Sequence, residues 1–356
     1  MKKIAVIFVI VVFALQGCQS EKNYDLLRDS APFPVGAAIV AGNKVDGFEC
    51  DGLMDSQWYP SFIAKHFNAI TVQNAMKMRM MRPKEDIYSF EKSDLAVDFA
   101  TKHNLRLHGH CLVWHVSEPE WMKKYEEDSL KMGQLMEDHI RTVVSRYKGR
   151  VASWDVVNEA INDGSGKLRE NAWYKTMGLS AIDKAFRLTK EVDPNVLTFY
   201  NEYGLVIDSL KMEGTLKMLD ELKKKGTPVD GVGLQSHIYM ETFKLERFAN
   251  LLKELVKRNY RVHISELDIN INLKTETKYP ILSKDQEEKQ RQMAYDVVKI
   301  YMDIVPEHLR YGITVWGISD KYTWARTHQK RLEWPLLFND DYKPKSMYFG
   351  LLDAMK

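Results

Sequence analysis

The sequence predicts a single α/β domain, a (β/α)8 TIM barrel, and three observations carry that prediction. Eight short apolar runs alternate with longer stretches of helical period. No repeat, low-complexity tract or internal linker breaks the alternation. With the amino terminus set aside, roughly 330 of the 356 residues remain, which suits one large barrel better than two average domains. Strands alternating with helices imply a parallel sheet, and eight such units imply closure.

The amino terminus stands apart from that pattern. Met1–Lys3 is basic, and Ile4–Leu15 (IAVIFVIVVFAL) runs without a polar side chain. The run is too short for the roughly 20 residues of a membrane-spanning helix, so residues 1–17 read as a secretory signal peptide. Leu15-Gln16-Gly17-Cys18 resembles a lipobox, which makes Cys18 the expected lipidation site and residues 18–30 a tether. An ordinary cleaved signal with an incidental cysteine, or a poor membrane anchor, is the alternative. The barrel domain then occupies residues 31–356. The expected product is an exported monomer, an outer-membrane lipoprotein facing the periplasm or cell surface, touching membrane only through its lipid.

The expected strands are Val35–Val40, Ala69–Val72, Arg106–Trp114, Val151–Asn158, Val196–Tyr200, Gly231–Ile238, Val262–Leu267 and Gly312–Gly317. Helical stretches between them include Glu91–His103, Leu130–Tyr147, Ala172–Val192, Leu210–Lys225, Leu245–Lys257 and Asp285–Ile304. In the second of these, Leu130, Met132, Leu135, Met136, Ile140, Val143, Val144 and Tyr147 are expected near one face at a 3.6-residue period. Asp193-Pro194 closes the helix before the fifth strand. An open doubly wound sheet is disfavoured, because Ala41-Gly42-Asn43-Lys44 after the first strand lacks a phosphate-binding glycine pattern.

Composition narrows the function. The chain is 45% hydrophobic and 28% charged, and its 51 basic residues nearly balance 49 acids. No basic run exists, so nucleic-acid binding has no electrostatic footprint. With Cys18 assigned to lipid, Cys50 and Cys111 remain, and Cys111 lies in an apolar strand where a small buried side chain is expected. No zinc-ligand spacing occurs, and neither a metal nor an organic cofactor is expected.

Active sites of such barrels lie at the carboxyl ends of the strands. Those ends carry Gln73, Asn74 and Lys77, then His110 and Trp114, then Asn158 and Glu159. Further on come Asn201-Glu202-Tyr203, Gln235 and His237, Glu266 and Asp268, then Trp316 and Trp324. Amides and imidazoles bond hydroxyls, and indole faces stack on the apolar faces of sugar rings, so the cleft suits a neutral, hydroxyl-rich ligand. Paired carboxyls cleave glycosidic bonds, and in a retaining pair they stand about 5–5.5 Å apart. Glu159 and Glu266 each follow an apolar strand directly and are the candidates; Glu202 is a third at the same rim. Asp155, out of step with Asn158, reads as structural, directed toward the helices or the lower barrel. Asp268 is placed to hold His237, and His237 to bond Glu266, which would keep that carboxylate ionised. Glu159 as an acid would call for a less solvated surrounding.

At these motifs the chain resembles glycoside hydrolase family 10, the endo-β-1,4-xylanases. Gly109–His115 (GHCLVWH), Trp154–Glu159 (WDVVNE), Gly231–His237 (GVGLQSH), Ile264–Asp268 (ISELD), Thr314–Trp324 (TVWGISDKYTW) and Pro335–Phe338 (PLLF) stand in the family's order along nearly the whole mature chain. The resemblance implies endo-acting, retaining hydrolysis of xylan by double displacement, with Glu159 as acid/base and Glu266 as nucleophile. It implies that Asn158 bonds the 2-hydroxyl of the attacked sugar, and that Gln235 and His237 support that sugar and the nucleophile. Asn74, Lys77, His110 and Trp114 would line the glycone side, with Trp316 as the floor and Trp324 beside it. Tyr203 would face the aglycone, and Glu202 would act in support.

Two positions depart from the family pattern. Gln73 stands where a carboxylate usually bonds a sugar hydroxyl, and Met78 stands where a tryptophan is usual. Gln73 keeps an acceptor but loses the charge-assisted bond, which predicts altered glycone recognition; neutral drift is the alternative. Two other functions compete: a β-1,4-glycanase of another sugar, such as a cellulase or galactanase, and a lipoprotein that binds glycan without cutting it. The second would be expected to lack a catalytic carboxylate, and both are present.

Overall fold

In the computed structural model, which describes residues 24–45, 47–54, 56–273 and 277–356, eight parallel strands close on themselves. The signal segment, Cys18 and residues 18–23 of the tether lie outside the described residues. The strands are β1 (Val35–Ile39), β2 (Ala69–Val72), β3 (Arg106–Trp114), β4 (Ser153–Asn158), β5 (Leu197–Tyr203), β6 (Gly231–Gln235), β7 (Arg261–Asn270) and β8 (Arg310–Val315). Each pairs with the next, and β8 pairs with β1 to complete the ring. β1, β2, β4 and β6 are buried at every position. That is why the strands read as continuous apolar runs: one side packs the barrel interior and the other the helices.

Around the ring lie α1 (Trp58–His66), α2 (Glu91–Lys102), α3 (Ser129–Tyr147), α4 (Leu179–Val192), α5 (Ser209–Lys224), α6 (Leu245–Lys257), α7 (Lys284–Ile304) and α8 (Ser346–Met355). Asp128 and Asp208 cap α3 and α5 by accepting from Lys131 N and Lys211 N, and Ser283 with Gln286 forms a capping box on α7. The helix expected over Ala172–Val192 begins only at Leu179, because Gly178 at φ 54° breaks helical geometry ahead of it. The run Gly231–Ile238 is also divided. After Gln235 the chain leaves β6, and His237–Tyr239 forms a short strand along the upper half of β7. β5, by contrast, runs on through Tyr203.

The lower barrel is filled by rings and polar links between strands. His108 Nδ1 lies 2.6 Å from Ser153 Oγ, His263 Nε2 lies 2.8 Å from Thr314 Oγ1, and Phe199 packs on Tyr311 at 4.5 Å. Asp155 points into this interior rather than toward the helices. It lies 3.0 Å from His108 Nε2 and 2.8 Å from His110 Nδ1. Burial opposes its charge, yet the two imidazoles hold its carboxyl well below the usual range. Cys111 is buried within β3.

Higher up, register shifts interrupt the ladders between His110 and Val113, between Asp155 and Val157, and between Ile264 and Leu267. Such irregularities re-aim the side chains beyond them. They fall on β3 and β4 just below Trp114 and Glu159, and on β7 across Glu266 itself.

Candidate active site

A cavity of about 580 Å³ opens at the carboxyl ends of the strands. The sequence-predicted residues Gln73, Asn74, Lys77, His110, Trp114, Asn158, Glu159, Tyr203, Gln235, His237, Glu266, Trp316 and Trp324 all line it. Asp268 lies behind them, fully buried. Met78 does not reach the cavity; it is buried in the core at the start of a short helical turn.

Glu159 follows the last residue of β4 and adopts φ 56°. A non-glycine residue there carries a backbone cost of about 1–3 kcal/mol, met by the surrounding bonds. Its N–H donates to Asn201 O at 2.9 Å, the next N–H to Tyr200 Oη at 3.1 Å, and its carbonyl accepts from Arg169 Nε at 2.7 Å. The turn throws the carboxyl into the cavity. There Oε2 accepts from Trp114 Nε1 at 2.8 Å, and Oε1 accepts from Gln235 Nε2 at 3.0 Å and Asn158 Nδ2 at 3.2 Å.

Glu266 lies opposite, within β7. Oε1 accepts from Asn201 Nδ2 at 2.8 Å, and Oε2 lies 3.2 Å from His237 Nε2. The other nitrogen of His237 lies 2.8 Å from Asp268 Oδ2, which also accepts from Trp324 Nε1 at 2.7 Å. The carboxylate–imidazole–carboxylate chain expected from the sequence is therefore present in space. Burial disfavours a charged His237, but Asp268 and Glu266 outweigh it and push its pKa up to about 10. At neutral pH His237 is a cation donating from both nitrogens.

The two carboxyls are joined through amides. Asn201 Nδ2 donates both to Glu266 and to Asn158 Oδ1, and Asn158 Nδ2 reaches Glu159. Lys77 Nζ bonds Asn74 Oδ1 at 2.9 Å and lies 4.8 Å from the Trp114 ring centre. Burial lowers the pKa of this ammonium, while the charges of Glu266 and Glu159 oppose the shift. His110 packs edge to face against Trp316 at 5.3 Å, fixing the indole at the cavity floor.

Two expectations need correcting. Gln235 makes its bonds away from Glu266: its amide N–H crosses to Glu159 Oε1 at 3.0 Å and Asn158 Oδ1 at 3.1 Å, while Asn201 and His237 serve Glu266. Nor is Glu159 the less solvated carboxyl: it is 9% exposed and Glu266 4%. What separates them is donors: indole and amide N–H for Glu159, amide and imidazolium for Glu266.

Asn201, Arg169 and Lys211 were not assigned roles in the sequence. The signal that could have found Asn201 was strand alternation on β5. Phe199 and Asn201 face the barrel interior, so Tyr200 and Glu202 face away. Gly233 lies across from Asn201, where a Cβ would come within 2.2 Å of Asn201 Oδ1. The glycine leaves room for the amide. Glu202 accordingly takes no part in the pair; it accepts from Ile161 N at 3.2 Å and from Tyr200 Oη, and pairs with fully buried Lys211 at 2.9 Å. Burial, against the pull of Lys211, pushes its pKa up to about 7.

Comparison with known proteins gives the family and the fold. Residues 31–354 match the profile of Glycosyl hydrolase family 10. An endo-β-1,4-xylanase of Cellvibrio japonicus is 35% identical over 355 residues, covering 94% of this chain and 58% of that protein. Endo-1,4-β-xylanase B of Thermotoga neapolitana is 34% identical over 304 residues, 85% of each. Among solved structures, a mutant xylanase from Cellvibrio japonicus in complex with xylopentaose superposes with a TM-score of 0.87 at 34% identity, over 94% of this chain and 69% of that one. The chain thus spans little more than half of the first relative and most of the second.

Proposed function

The chain belongs to glycosyl hydrolase family 10, and on that footing we propose that it is an endo-acting β-1,4-xylanase that cleaves with retention of configuration. Glu266 attacks the anomeric carbon while the bond to the leaving oxygen breaks, and Glu159 delivers a proton to that oxygen. A glycosyl–Glu266 ester results. Glu159, now a carboxylate, takes a proton from water as its oxygen attacks the same carbon and frees Glu266. The observation that carries this reading is the pair of carboxyls in one cavity with different donor sets. Glu266 is bonded by an amide and a cationic imidazole, which suits a carboxylate nucleophile. Glu159 is held by the Trp114 indole and two amides at the end of a fixed turn, which suits a proton shuttle.

Lys77, Asn74, His110 and Trp114 take the glycone, the Trp316 ring lies under the reacting sugar with Trp324 beside it, and Tyr203 faces the aglycone. Asn158, between the two carboxyls, bonds the 2-hydroxyl. The substrate is xylan or a xylo-oligosaccharide, handled by one chain acting as a monomer. The basic start, apolar run and lipobox-like Cys18 support an exported lipoprotein held at the outer membrane.

Proton NMR of the first product from unsubstituted β-1,4-xylan tests the reading. Wild type is expected to release the β-anomer and Glu266→Ala nothing. Initial α-anomer would exclude retention, and full activity of Glu266→Ala would exclude the nucleophile.

A further inference from the structure

We propose that Arg169 is a positioning residue for proton transfer, holding the Glu159 backbone so that its carboxyl meets the scissile oxygen. The proposal rests on the assignment of Glu159 as acid/base. Arg169 is not among the residues lining the cavity; it acts through the turn that bears Glu159 and through Tyr203, to which it donates.

The geometry explains why such a clamp is needed. At φ 56° Glu159 leaves the strand direction, and its N–H makes the last backbone-to-backbone bond to β5. Its carbonyl takes Arg169 Nε at 2.7 Å. The same guanidinium donates to Asn162 Oδ1 at 3.3 Å and Tyr203 Oη at 2.9 Å, while the Arg169 N–H donates to Ala160 O at 2.8 Å. One planar fork therefore ties two points of the turn, Glu159 O and Asn162 Oδ1, to Tyr203 on β5. The anchor behind it is rigid as well. Tyr203 Oη donates to Asp163 at 2.6 Å, and buried Lys211 bridges Asp163 at 2.7 Å and Glu202 at 2.9 Å. Glu202 in turn accepts from Ile161 N within the turn. Without Arg169 the carbonyl turns to water, φ relaxes toward ordinary values, and the carboxyl swings away from the leaving oxygen.

A displaced acid makes one specific prediction. When phenoxide leaves phenyl β-xylobioside it needs the proton from Glu159 as the C1–O bond breaks. 2,4-Dinitrophenoxide is a weak base and leaves carrying the electron pair without a proton. In the second step azide attacks C1 with its own electron pair and no proton to lose, so it replaces water without help from Glu159.

For Arg169→Ala, kcat/KM on phenyl β-xylobioside is expected to fall about 10- to 100-fold, the scale of a misplacement of roughly 1 Å. On the dinitrophenyl substrate kcat/KM stays within about threefold, and azide raises kcat on that substrate with β-xylobiosyl azide as product. Arg169→Lys keeps the cation but replaces three separately placed nitrogens with one, so the fork geometry is lost. It is expected to show the same split more weakly, and it carries the test if thermal melting shows the alanine variant unfolded. An equal fall on both substrates, or no fall on either, overturns the proposal. Glu159→Ala run alongside separates the two levels. If it lacks the split between leaving groups, the acid/base assignment has failed; if it shows the split and the Arg169 variants do not, only the clamp has failed.

Discussion

The cation beside Glu266 has a consequence for stability that can be measured without substrate. Burial alone would lower the pKa of His237, yet Asp268 and Glu266 push it up to about 10. The unfolded chain binds that proton only below about pH 6.5. A raised folded-state value means that the contribution is complete below about pH 6.5 and is lost as the pH rises through about 10. At about 1.4 kcal/mol per unit, that span caps the effect near 5 kcal/mol, and about 2–5 kcal/mol is expected. His237→Asn removes the titration but leaves Asp268 its bonds from Trp324 Nε1 and Asn270 Nδ2. Urea unfolding followed by tryptophan fluorescence at pH 6, 8, 9 and 10, wild type against variant, isolates the term from the other groups that titrate there. The variant should be the less stable protein at pH 6, with the gap narrowing toward pH 10. A gap that is constant across the series would refute the reasoning.

Other expectations follow from the same bonds. Asn201→Ala removes a charge-assisted donor from Glu266 and leaves Ser265 Oγ and Asn158 Oδ1 without that partner; kcat/KM on xylohexaose should fall about 10- to 200-fold and urea stability by about 2–4 kcal/mol. Gly233→Ala sets a methyl group against Asn201 Oδ1 and should cost about 1–3 kcal/mol in urea unfolding, with a fall in kcat as the amide is displaced; a variant of wild-type stability would contradict the packing. Gln73→Glu restores a charged acceptor to the cavity and should shift the product pattern from xylohexaose toward longer glycone fragments; identical patterns and rates would mean that Gln73 is neutral.

The alternation of apolar runs with helical stretches was enough to name all eight barrel strands and the ends that bear polar groups. Strands buried on both faces must be apolar along their length, and polarity concentrates where they open to the cleft. The motif residues were legible for the same reason, since most lie in the upper part of a strand or shortly beyond it. Boundaries were less legible where one glycine or one register shift decides them, as at Gly178 and after Gln235.

What the tertiary structure decided is which polar group serves which carboxyl. Gln235 and Glu159 are 76 positions apart, and Asn201 and Glu266 are 65 apart. No local pattern encodes such pairs, because their meeting depends on ring closure and on one-residue register shifts in β3, β4 and β7 that re-aim side chains. The positive φ of Glu159 and the Arg169 clamp belong to the same class. By itself the sequence determined the barrel, the rim and the residue types available for catalysis, through burial and periodicity. Only the folded ring determined their partners, because hydrogen bonds are directional and burial is not.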